Sequence, residues 1–198
     1  MARAHQAKRD DSTKSQILDV AQRLIQSRGY NGFSYKDLAE ALAIRTASIH
    51  YHFPTKADLG VGLLQRYRRD FANELAAIVA SATDQRRALE RFAELFQRTF
   101  NADSRLCLCG MLSAEIATLP EAVAAEVEKF FHETEQWVAA SLAAGQKSGA
   151  VRFTGSPQAQ ARLLIAMLEG AMVVARGMRA RNSFQRMVHD YLRNLRPD

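Results

Sequence analysis

The stretch Phe33-Ser-Tyr-Lys-Asp-Leu-Ala-Glu-Ala-Leu-Ala-Ile-Arg-Thr-Ala-Ser-Ile-His-Tyr-His-Phe-Pro-Thr-Lys-Ala-Asp-Leu59 decides the fold. Ser34 followed by Asp37 is a variant of the capping box, which predicts that a helix starts here. Leu38 and Leu42 give this short helix one apolar stripe, and a second short segment with polar and aromatic residues follows. Two short helices joined by a tight turn form a helix-turn-helix unit, whose second helix enters a DNA major groove.

A third helix is predicted before this stretch. Gly29 is positioned as its C-cap, and its start is expected at Ser12 or Thr13. Its apolar residues recur at spacings of three and one: Ile17, Val20, Ala21, Leu24 and Ile25. Residues 1–11 are polar and basic without periodicity. They are expected to form a flexible arm, which is either a solvated tail or a segment that touches DNA phosphates.

Composition favours an all-helical chain with a polyanionic partner. The 198 residues include only 4 prolines and 10 glycines, and 47% are hydrophobic, which is enough for a sizeable core. The formal net charge is +6 and the sequence pI is near 9.6. A basic balance suits nucleic acid, although many basic proteins bind none.

Other protein classes find little support in the sequence. We see no membrane-spanning run and no signal-peptide pattern, so a cytoplasmic protein without a membrane partner is expected. The two cysteines, Cys107 and Cys109, form neither a disulfide framework nor a complete metal site. We therefore expect no cofactor and no metal.

Residues from about Thr13 to Asp70 resemble the DNA-binding domain of TetR-family transcriptional regulators. Matching landmarks are the run that starts at Ile17, the Gly29-Tyr30 pair, the Phe33-Ser34 entry, and the exit from Ile49 to Lys56. The resemblance implies a three-helix DNA-binding head (12–57) and a helical ligand-binding and dimerisation body (58–198). It also implies that the protein is a homodimer with a small-molecule effector and an operator of double-stranded DNA.

The resemblance assigns the DNA contacts position by position. It implies base contacts for Lys36, Arg45, Thr46 and Tyr51. It implies phosphate contacts for Ser34, Tyr35, Ser48, His50, His52 and Lys56. Because a dimer presents two recognition helices about 34–36 Å apart, the operator is expected to be a near-palindrome.

Two positions depart from the family pattern. His50 stands where the family usually has a tyrosine, so the phosphate contact of this residue is in doubt. Ala43 replaces the usual turn glycine, and we therefore expect a turn that does not require a positive φ angle.

The remainder of the chain predicts about six more helices, for about nine in all. Thr55 is the predicted N-cap of a long helix that belongs to both halves of the protein. Further helices are predicted at 84–101, 106–119, 120–145, 157–181 and 183–195.

The last two helices predict a dimer interface. Apolar residues wrap nearly the whole helix around residues 163–175, more than one core would cover, although a well-buried central helix would show the same composition. The sharper interpretation is a four-helix bundle formed by two subunits. The expected interface residues are Leu164, Leu168, Ala171, Ala175, Phe184, Met187, Val188, Tyr191 and Leu192.

The body also contains a predicted sensing region. Residues two apart on a helix point about 200° apart, so we expect one of Cys107 and Cys109 to face the core and the other elsewhere. Arg105 is expected to lower the thiol pKa of Cys107. The pattern from Cys107 to Glu115 resembles TetR-family repressors that respond to electrophiles and acrylate-type compounds, although cysteines that only pack remain the alternative. The expected effector-binding or sensing residues are Cys107, Cys109, Met111, Glu115, Phe96, Phe100, Phe130, Trp137 and Met167.

Two other functions remain as alternatives. A thiol enzyme would need one cysteine and a histidine as nucleophile and base, but the sequence shows no catalytic motif, and no catalytic residue is predicted. A helical adaptor would bind protein through the last two helices and DNA without sequence preference. Sequence alone leaves open whether a DNA-binding regulator would repress or activate.

Overall fold

A computed structural model of the protein describes the backbone of residues 2–195 and the side chains of residues 12–195. Within this part of the chain nine α-helices and one 3₁₀ turn form, so the predicted all-α fold with about nine helices is confirmed. The elements are α1 Ala2–Arg28, α2 Tyr35–Leu42, α3 Thr46–His52, α4 Lys56–Ser81, α5 Gln85–Asn101, α6 Leu108–Ala114, the 3₁₀ turn Ile116–Thr118, α7 Glu121–Ser148, α8 Pro157–Gly177 and α9 Arg181–Arg193.

Short polar side chains cap the helices where the sequence predicts starts. Asp37 N donates to Ser34 Oγ at 3.4 Å while Ser34 N donates to Asp37 Oδ2 at 2.7 Å, which completes the capping box of α2. Thr55 and Asp58 repeat this reciprocal pair at the start of α4. Because these pairs satisfy backbone N–H groups that a helix start leaves open, they fix where α2 and α4 begin.

The first helix is longer than predicted. α1 begins at Ala2, so the predicted start at Ser12 or Thr13 is wrong. Residues 2–11 contain three alanines and no glycine or proline, a composition with high helix propensity despite the missing apolar stripe. The predicted flexibility of residues 1–11 stays a prediction, since their side chains lie outside the described residues.

Helix α6 is shorter than predicted, and this changes the geometry of the cysteines. It covers Leu108–Ala114 instead of 106–119. Asp103 and Ser104 adopt positive φ angles of 63° and 55°, so the chain turns before the helix begins. Cys107 therefore precedes α6, and the helical spacing that was expected to separate the two cysteines does not apply to it.

The turn between α2 and α3 uses a left-handed residue. Ala43 has φ 52° and ψ 40°, and its N–H bonds back to the last turn of α2. The prediction that this turn needs no positive φ angle is therefore wrong. The turn keeps the conformation that suits glycine, and alanine adopts it at a steric cost.

The chain forms two compact units, and the boundary differs from the predicted one at 57/58. Unit 1 contains residues up to 68 together with 111–127, and unit 2 contains residues 69–110 and 128–198. Residues 111–127 join unit 1 through packing and ion pairing. The carboxylate of Glu126 pairs with Arg68 there, and Val123 packs against Gly60, where an added Cβ would lie 2.9 Å from a valine methyl carbon.

Each unit has its own apolar core. In unit 1 the predicted stripe of α1 is buried except for Leu24, which is partly exposed, together with Leu38 and Ile49 from the helix-turn-helix pair. In unit 2 α5 is buried along one side, with Phe92 fully enclosed, and α8 and α9 pack closely. The amphipathic helices α1 and α5 therefore bury their apolar faces in the cores of their units.

Replacing Ala43 with glycine should stabilise the protein. Glycine removes the cost of the left-handed conformation, so the free energy of unfolding should rise by about 0.5–1 kcal/mol in urea denaturation. Ala41→Gly is the matched control: within α2 the same change should lower it by up to about 1 kcal/mol. Loss of stability in both variants would contradict the conformation described for Ala43.

Candidate nucleic-acid interface and sensor core

Helix α3 and its N-cap present an exposed surface of polar and aromatic side chains. Tyr51 is 72% exposed, the highest value among the large hydrophobic residues described as exposed. Arg45, Thr46 and His50 are also exposed, while Ile49 of the same helix is completely buried. One face of α3 therefore anchors the helix, and the other offers the side chains expected to contact bases.

Two cations flank this surface. Arg45 is the N-cap of α3 and makes no side-chain capping bond, so its guanidinium is not used to hold the helix start. Lys36 on α2 is 84% exposed and pairs with Glu40 only at 3.9 Å. Exposed ion pairs of this kind contribute little to stability, which leaves Lys36 available for another anion.

Tyr35 makes contacts within unit 1 that the sequence did not predict, and its predicted phosphate contact stays a prediction. Its hydroxyl lies within hydrogen-bond distance of the carbonyl oxygens of Phe53 at 2.9 Å and Thr55 at 2.6 Å. Its ring lies 4.7 Å from that of His50. Burial, with the charge of Asp58, raises the pKa of Tyr35 to about 12, so the hydroxyl stays a donor to the turn that connects α3 to α4.

Lys56 also points inward in this structure, and its predicted phosphate contact stays a prediction. Its ammonium donates to the carbonyl of Phe33 and lies over the rings of Phe33 and Tyr30, at 4.2 and 4.7 Å from their centroids. Burial lowers the pKa of Lys56. Lys56 therefore joins the start of α4 to the segment between α1 and α2.

The other predicted phosphate contacts divide into two groups. Ser34 is exposed, but its hydroxyl caps α2. His50 places Nδ1 3.1 Å from the carbonyl oxygen of Pro54, which leaves its other ring nitrogen for a partner. Ser48 and His52 are partly exposed, and their contacts stay predictions.

Glu115 binds the turn at the end of α1, a role that the sequence did not reveal. Its carboxylate accepts hydrogen bonds from Tyr30 N and from Asn31 N, and the latter measures 3.2 Å. The side chain of Asn31 donates to the same carboxylate at 3.2 Å and to Thr118 at 2.9 Å. Gly29 permits this approach, because a Cβ there would lie 2.7 Å from the carboxylate.

This geometry gives Glu115 a contact that the sequence did not predict. The residue belongs to unit 1 and binds the turn that precedes the helix-turn-helix pair, and its predicted effector role stays a prediction. Met111 also belongs to unit 1, whereas Phe96, Phe130 and Trp137 lie in unit 2, and its effector role likewise stays a prediction. The only sequence signal for the contact was Gly29 itself, whose positive φ angle of 85° the C-cap pattern predicts.

Unit 2 contains a continuous aromatic cluster. Phe92 is its centre, with ring centroids 5.3 Å from Phe96 and 5.5 Å from Trp137. Phe71 continues the cluster and lies 5.0 Å from Phe130. Three of the predicted pocket residues are thus brought together by two aromatic residues, Phe71 and Phe92, that the site prediction omitted.

Two further predicted pocket residues, Phe100 and Met167, make no described ring contact with the aromatic cluster. Phe100 stacks on Phe184 of α9 at 5.5 Å and is 1% exposed, so it belongs to the packing of α5 on α9. Met167 is partly exposed on α8. The pocket around the aromatic cluster stays a prediction.

Both cysteines are buried, which corrects the expectation that one faces elsewhere. Cys107 is 2% exposed and Cys109 is completely buried. Arg105 donates from Nε to the carbonyl of Ala102 at 2.7 Å. Burial first, and then the charge of Glu169, raises the pKa of the Cys107 thiol well above its usual range, so the expected lowering by Arg105 is wrong.

Five predicted interface residues are core residues of their own chain. Leu164, Leu168, Ala171, Ala175 and Phe184 are at most 4% exposed in the single chain, so they have no surface for a partner. This corrects their assignment, because both the face of α8 that carries the first four and Phe184 of α9 are packed inside unit 2. Met187, Val188, Tyr191 and Leu192 are partly exposed, and their interface role stays a prediction.

A second apolar stripe on α8 faces outward. Leu163 is 55% exposed and Val173 56%, and Val174 and Met178 are exposed as well. An added Cβ at Gly170 would meet open space. By length and composition α8 also resembles a membrane-crossing helix, which its two apolar faces explain.

Two surface grooves lie in unit 2, away from the aromatic cluster. One, of about 220 Å³, lies between α5 and α9, and the other, of about 370 Å³, is bordered by residues 152–154 and the end of α9. Neither is lined by the predicted pocket residues. Among the residues described, no cluster of three or more histidine, cysteine or acidic side chains is positioned for a metal ion.

Comparison with known proteins matches both units. Residues 17–60 match the family described as bacterial regulatory proteins, tetR family, and residues 86–191 match the tetracyclin repressor-like C-terminal domain. The chain is similar to the HTH-type transcriptional repressor DhaR of Mycobacterium sp. strain GP1, with 27% identity over 81% of this chain and 80% of DhaR. It is also similar to the repressor NemR of Escherichia coli K12, with 24% identity over 84% and 85%.

Among solved structures, a TetR-family transcriptional regulator from Agrobacterium tumefaciens superposes with a TM-score of 0.91. The two sequences are 32% identical, and the alignment covers 95% of this chain and 100% of the Agrobacterium chain. The match therefore extends over both units.

Proposed function

Since the chain belongs to the TetR family of transcriptional regulators, we propose that it is a homodimeric, cytoplasmic repressor that a small-molecule effector releases from a near-palindromic operator. The observation that carries this proposal is the exposed face of α3, with Tyr51 standing out from a helix whose opposite face is buried. A large aromatic side chain that is 72% exposed on a seven-residue helix buries little apolar area in the fold. It is suited to contact a thymine methyl group in a major groove.

Arg45 is proposed to read a base. Its side chain is not used as a cap, and it lies at the N-terminal end of α3, the end of a recognition helix that contacts base edges. An arginine can form a bidentate bond to guanine. The overall charge of +6 adds a sequence-independent attraction to phosphates.

Arg45→Ala should weaken and broaden operator recognition. An operator selected from random duplexes should be bound about 10–100-fold more weakly in fluorescence anisotropy at fixed salt, with preference lost at one symmetric position. Arg69→Ala, which removes an equal charge from an exposed position of α4, is the control and should retain that preference. Equal losses in both variants, or no palindrome in the selected pool, would favour the non-specific adaptor.

The outward stripe of α8 is proposed to form the dimer interface. It is continuous and apolar, and glycines within it allow close approach of a second helix. The predicted interface residues Leu164 and Ala175 lie on the same helix, next in sequence to Leu163 and Val174 of the stripe. The proposed interface therefore still uses α8 but through different side chains. A second copy of α8 would cover Leu163, Val173 and Met178 together.

Val173→Glu should convert the dimer to a monomer. A charge within the stripe would be buried without a partner, and light scattering coupled to gel filtration should report half the wild-type mass at micromolar concentration. Val79→Glu is the matched control, since Val79 of α4 is 63% exposed and lies outside the stripe. A dimeric Val173→Glu protein would place the interface elsewhere.

We propose that effector binding releases the operator DNA through a change in α6. Cys107 immediately precedes this helix and Glu115 immediately follows it, so a change at the start of α6 displaces the carboxylate at its end. Loss of the Glu115 hydrogen bonds would make the turn at Tyr30 and Asn31 mobile. The helix-turn-helix unit that follows this turn would then no longer be held in one orientation. A ligand produces this shift only if it binds the two states with different affinity.

The effector class is proposed to be electrophilic or acrylate-like. The support is the reactive residue type at the start of α6 and the resemblance of the segment from Cys107 to Glu115 to electrophile-responsive repressors. Reaction at this thiol would be stoichiometric and would serve regulation. The thiol-enzyme alternative has no support from a nucleophile–base pair with histidine among the described contacts.

A further inference from the structure

Glu169 on α8 is a partly buried acid with a buried carboxylate oxygen, and the proposed function leaves it without a role. Its Oε1 atom is buried and has no hydrogen-bond partner among the described residues. A carboxylate loses strong hydration on burial, so an unsatisfied oxygen carries a cost that other contacts must offset. Such a group indicates a site where something else is exchanged or bound.

The carboxylate lies directly on the first turn of α6. An added Cβ at Gly110 would lie 2.3 Å from Glu169 Oε2, so only glycine leaves space for the acid there. The thiol of Cys107 donates a hydrogen bond to Glu169, and the N–H groups of Cys109 and Gly110 donate to the sulfur. The thiol proton and the sulfur lone pairs therefore have separate partners.

We propose that Glu169 is the proton acceptor for Cys107 when this thiol adds to an uncharged α,β-unsaturated carbonyl compound. The inference rests on the proposed function, since it assigns how the sensing cysteine reacts. Glu169 contacts the reacting thiol directly. The N–H groups of Cys109 and Gly110 stabilise the negative charge that develops on sulfur.

The addition is balanced within the site. The sulfur forms a bond to the β-carbon of the electrophile as the S–H proton moves to the Glu169 carboxylate. The π electrons of the C=C bond move to the α-carbon and carbonyl oxygen, which gives an enolate. Glu169 then returns the proton to the α-carbon, so S–H has added across C=C without an oxidant or leaving group.

A local base is needed because the thiolate is scarce in this site. Burial raises the pKa of Cys107 well above its usual range, and only the thiolate is strongly nucleophilic. Burial also raises the pKa of Glu169 to about 7, while the hydrogen bond from Cys107 opposes this shift. A base with a pKa near the ambient pH is effective, because much of it is ionised and can still hold a proton.

The surroundings favour an uncharged reagent. Glu169 is the charged group that acts on Cys107 from α8, and the guanidinium of Arg105 bonds to the carbonyl of Ala102. The carboxylate would repel an anionic reagent, which would also lose its hydration on entering this buried site. Acrylamide is therefore a better probe than acrylate, which has the same double bond.

The test is the rate at which acrylamide alkylates Cys107 in the intact protein, followed by mass spectrometry between about pH 5.5 and 9. In wild type the rate should rise through pH of about 7 as Glu169 ionises and then level. Glu169→Gln should lack this rise and react roughly 10²-fold more slowly at pH 8. Glu135→Gln, which removes a carboxylate paired with Arg162, is the control and should match wild type.

The opposite result would overturn the inference. If Glu169 acts only through its charge, its removal lowers the pKa of Cys107, and Glu169→Gln reacts as fast as wild type or faster. Absence of alkylation at Cys107 in wild type also overturns it. Circular dichroism checks that the variants fold. If Glu169→Gln does not fold, Glu169→Asp takes its place, and because this variant keeps a carboxylate its alkylation rate should still increase near neutral pH. A folded Glu169→Asp protein without that increase would contradict the proposal.

Operator binding separates this inference from the proposed function. Alkylation that depends on Glu169 but leaves operator affinity unchanged would refute release by electrophiles and leave the proton acceptor in place. Operator release with equal alkylation rates in wild type and Glu169→Gln would retain the proposed function and refute the role of Glu169.

Discussion

A single carboxylate holds the DNA-binding unit to the segment that follows α6. Glu115 accepts hydrogen bonds from two consecutive backbone amides, those of Tyr30 and Asn31, in the turn that follows the end of α1. Charge-assisted bonds to backbone amides are stronger than neutral ones. This arrangement favours glycine at position 29 for two reasons. The residue has a positive φ angle, and a Cβ atom there would lie too close to the Glu115 carboxylate.

The inward lysine at the start of α4 reinforces the same region. Lys56 binds the carbonyl of Phe33 and covers two aromatic rings, so the turn between α1 and α2 is held from both sides. The charges of Glu115 and Asp37 act favourably on this ammonium, although burial dominates its pKa. The contacts of Lys56 and Glu115 therefore act on the same turn, which precedes the helix-turn-helix pair.

Much of the fold was predictable because its signals are local. Capping residues such as Ser34 and Thr55 and the apolar periodicity of α1 and α5 predicted most helices within a few residues. Some local predictions also failed, namely the start of α1, the length of α6 and the conformation of Ala43. The other failures concern long-range contacts: which way Lys56 points, what Glu115 binds, and which face of α8 is covered. A helix that is apolar on both sides, as α8 is, gives periodicity no means to distinguish the core face from the partner face.

The most direct test is the operator affinity of a Glu115→Ala variant, measured by fluorescence anisotropy on the selected duplex with the dimer verified by light scattering. If Glu115 orients the helix-turn-helix unit, affinity should fall roughly tenfold or more, since charge-assisted bonds to two amides are lost while every proposed DNA contact remains. An affinity equal to that of wild type would contradict this coupling and separate α6 from the control of DNA binding.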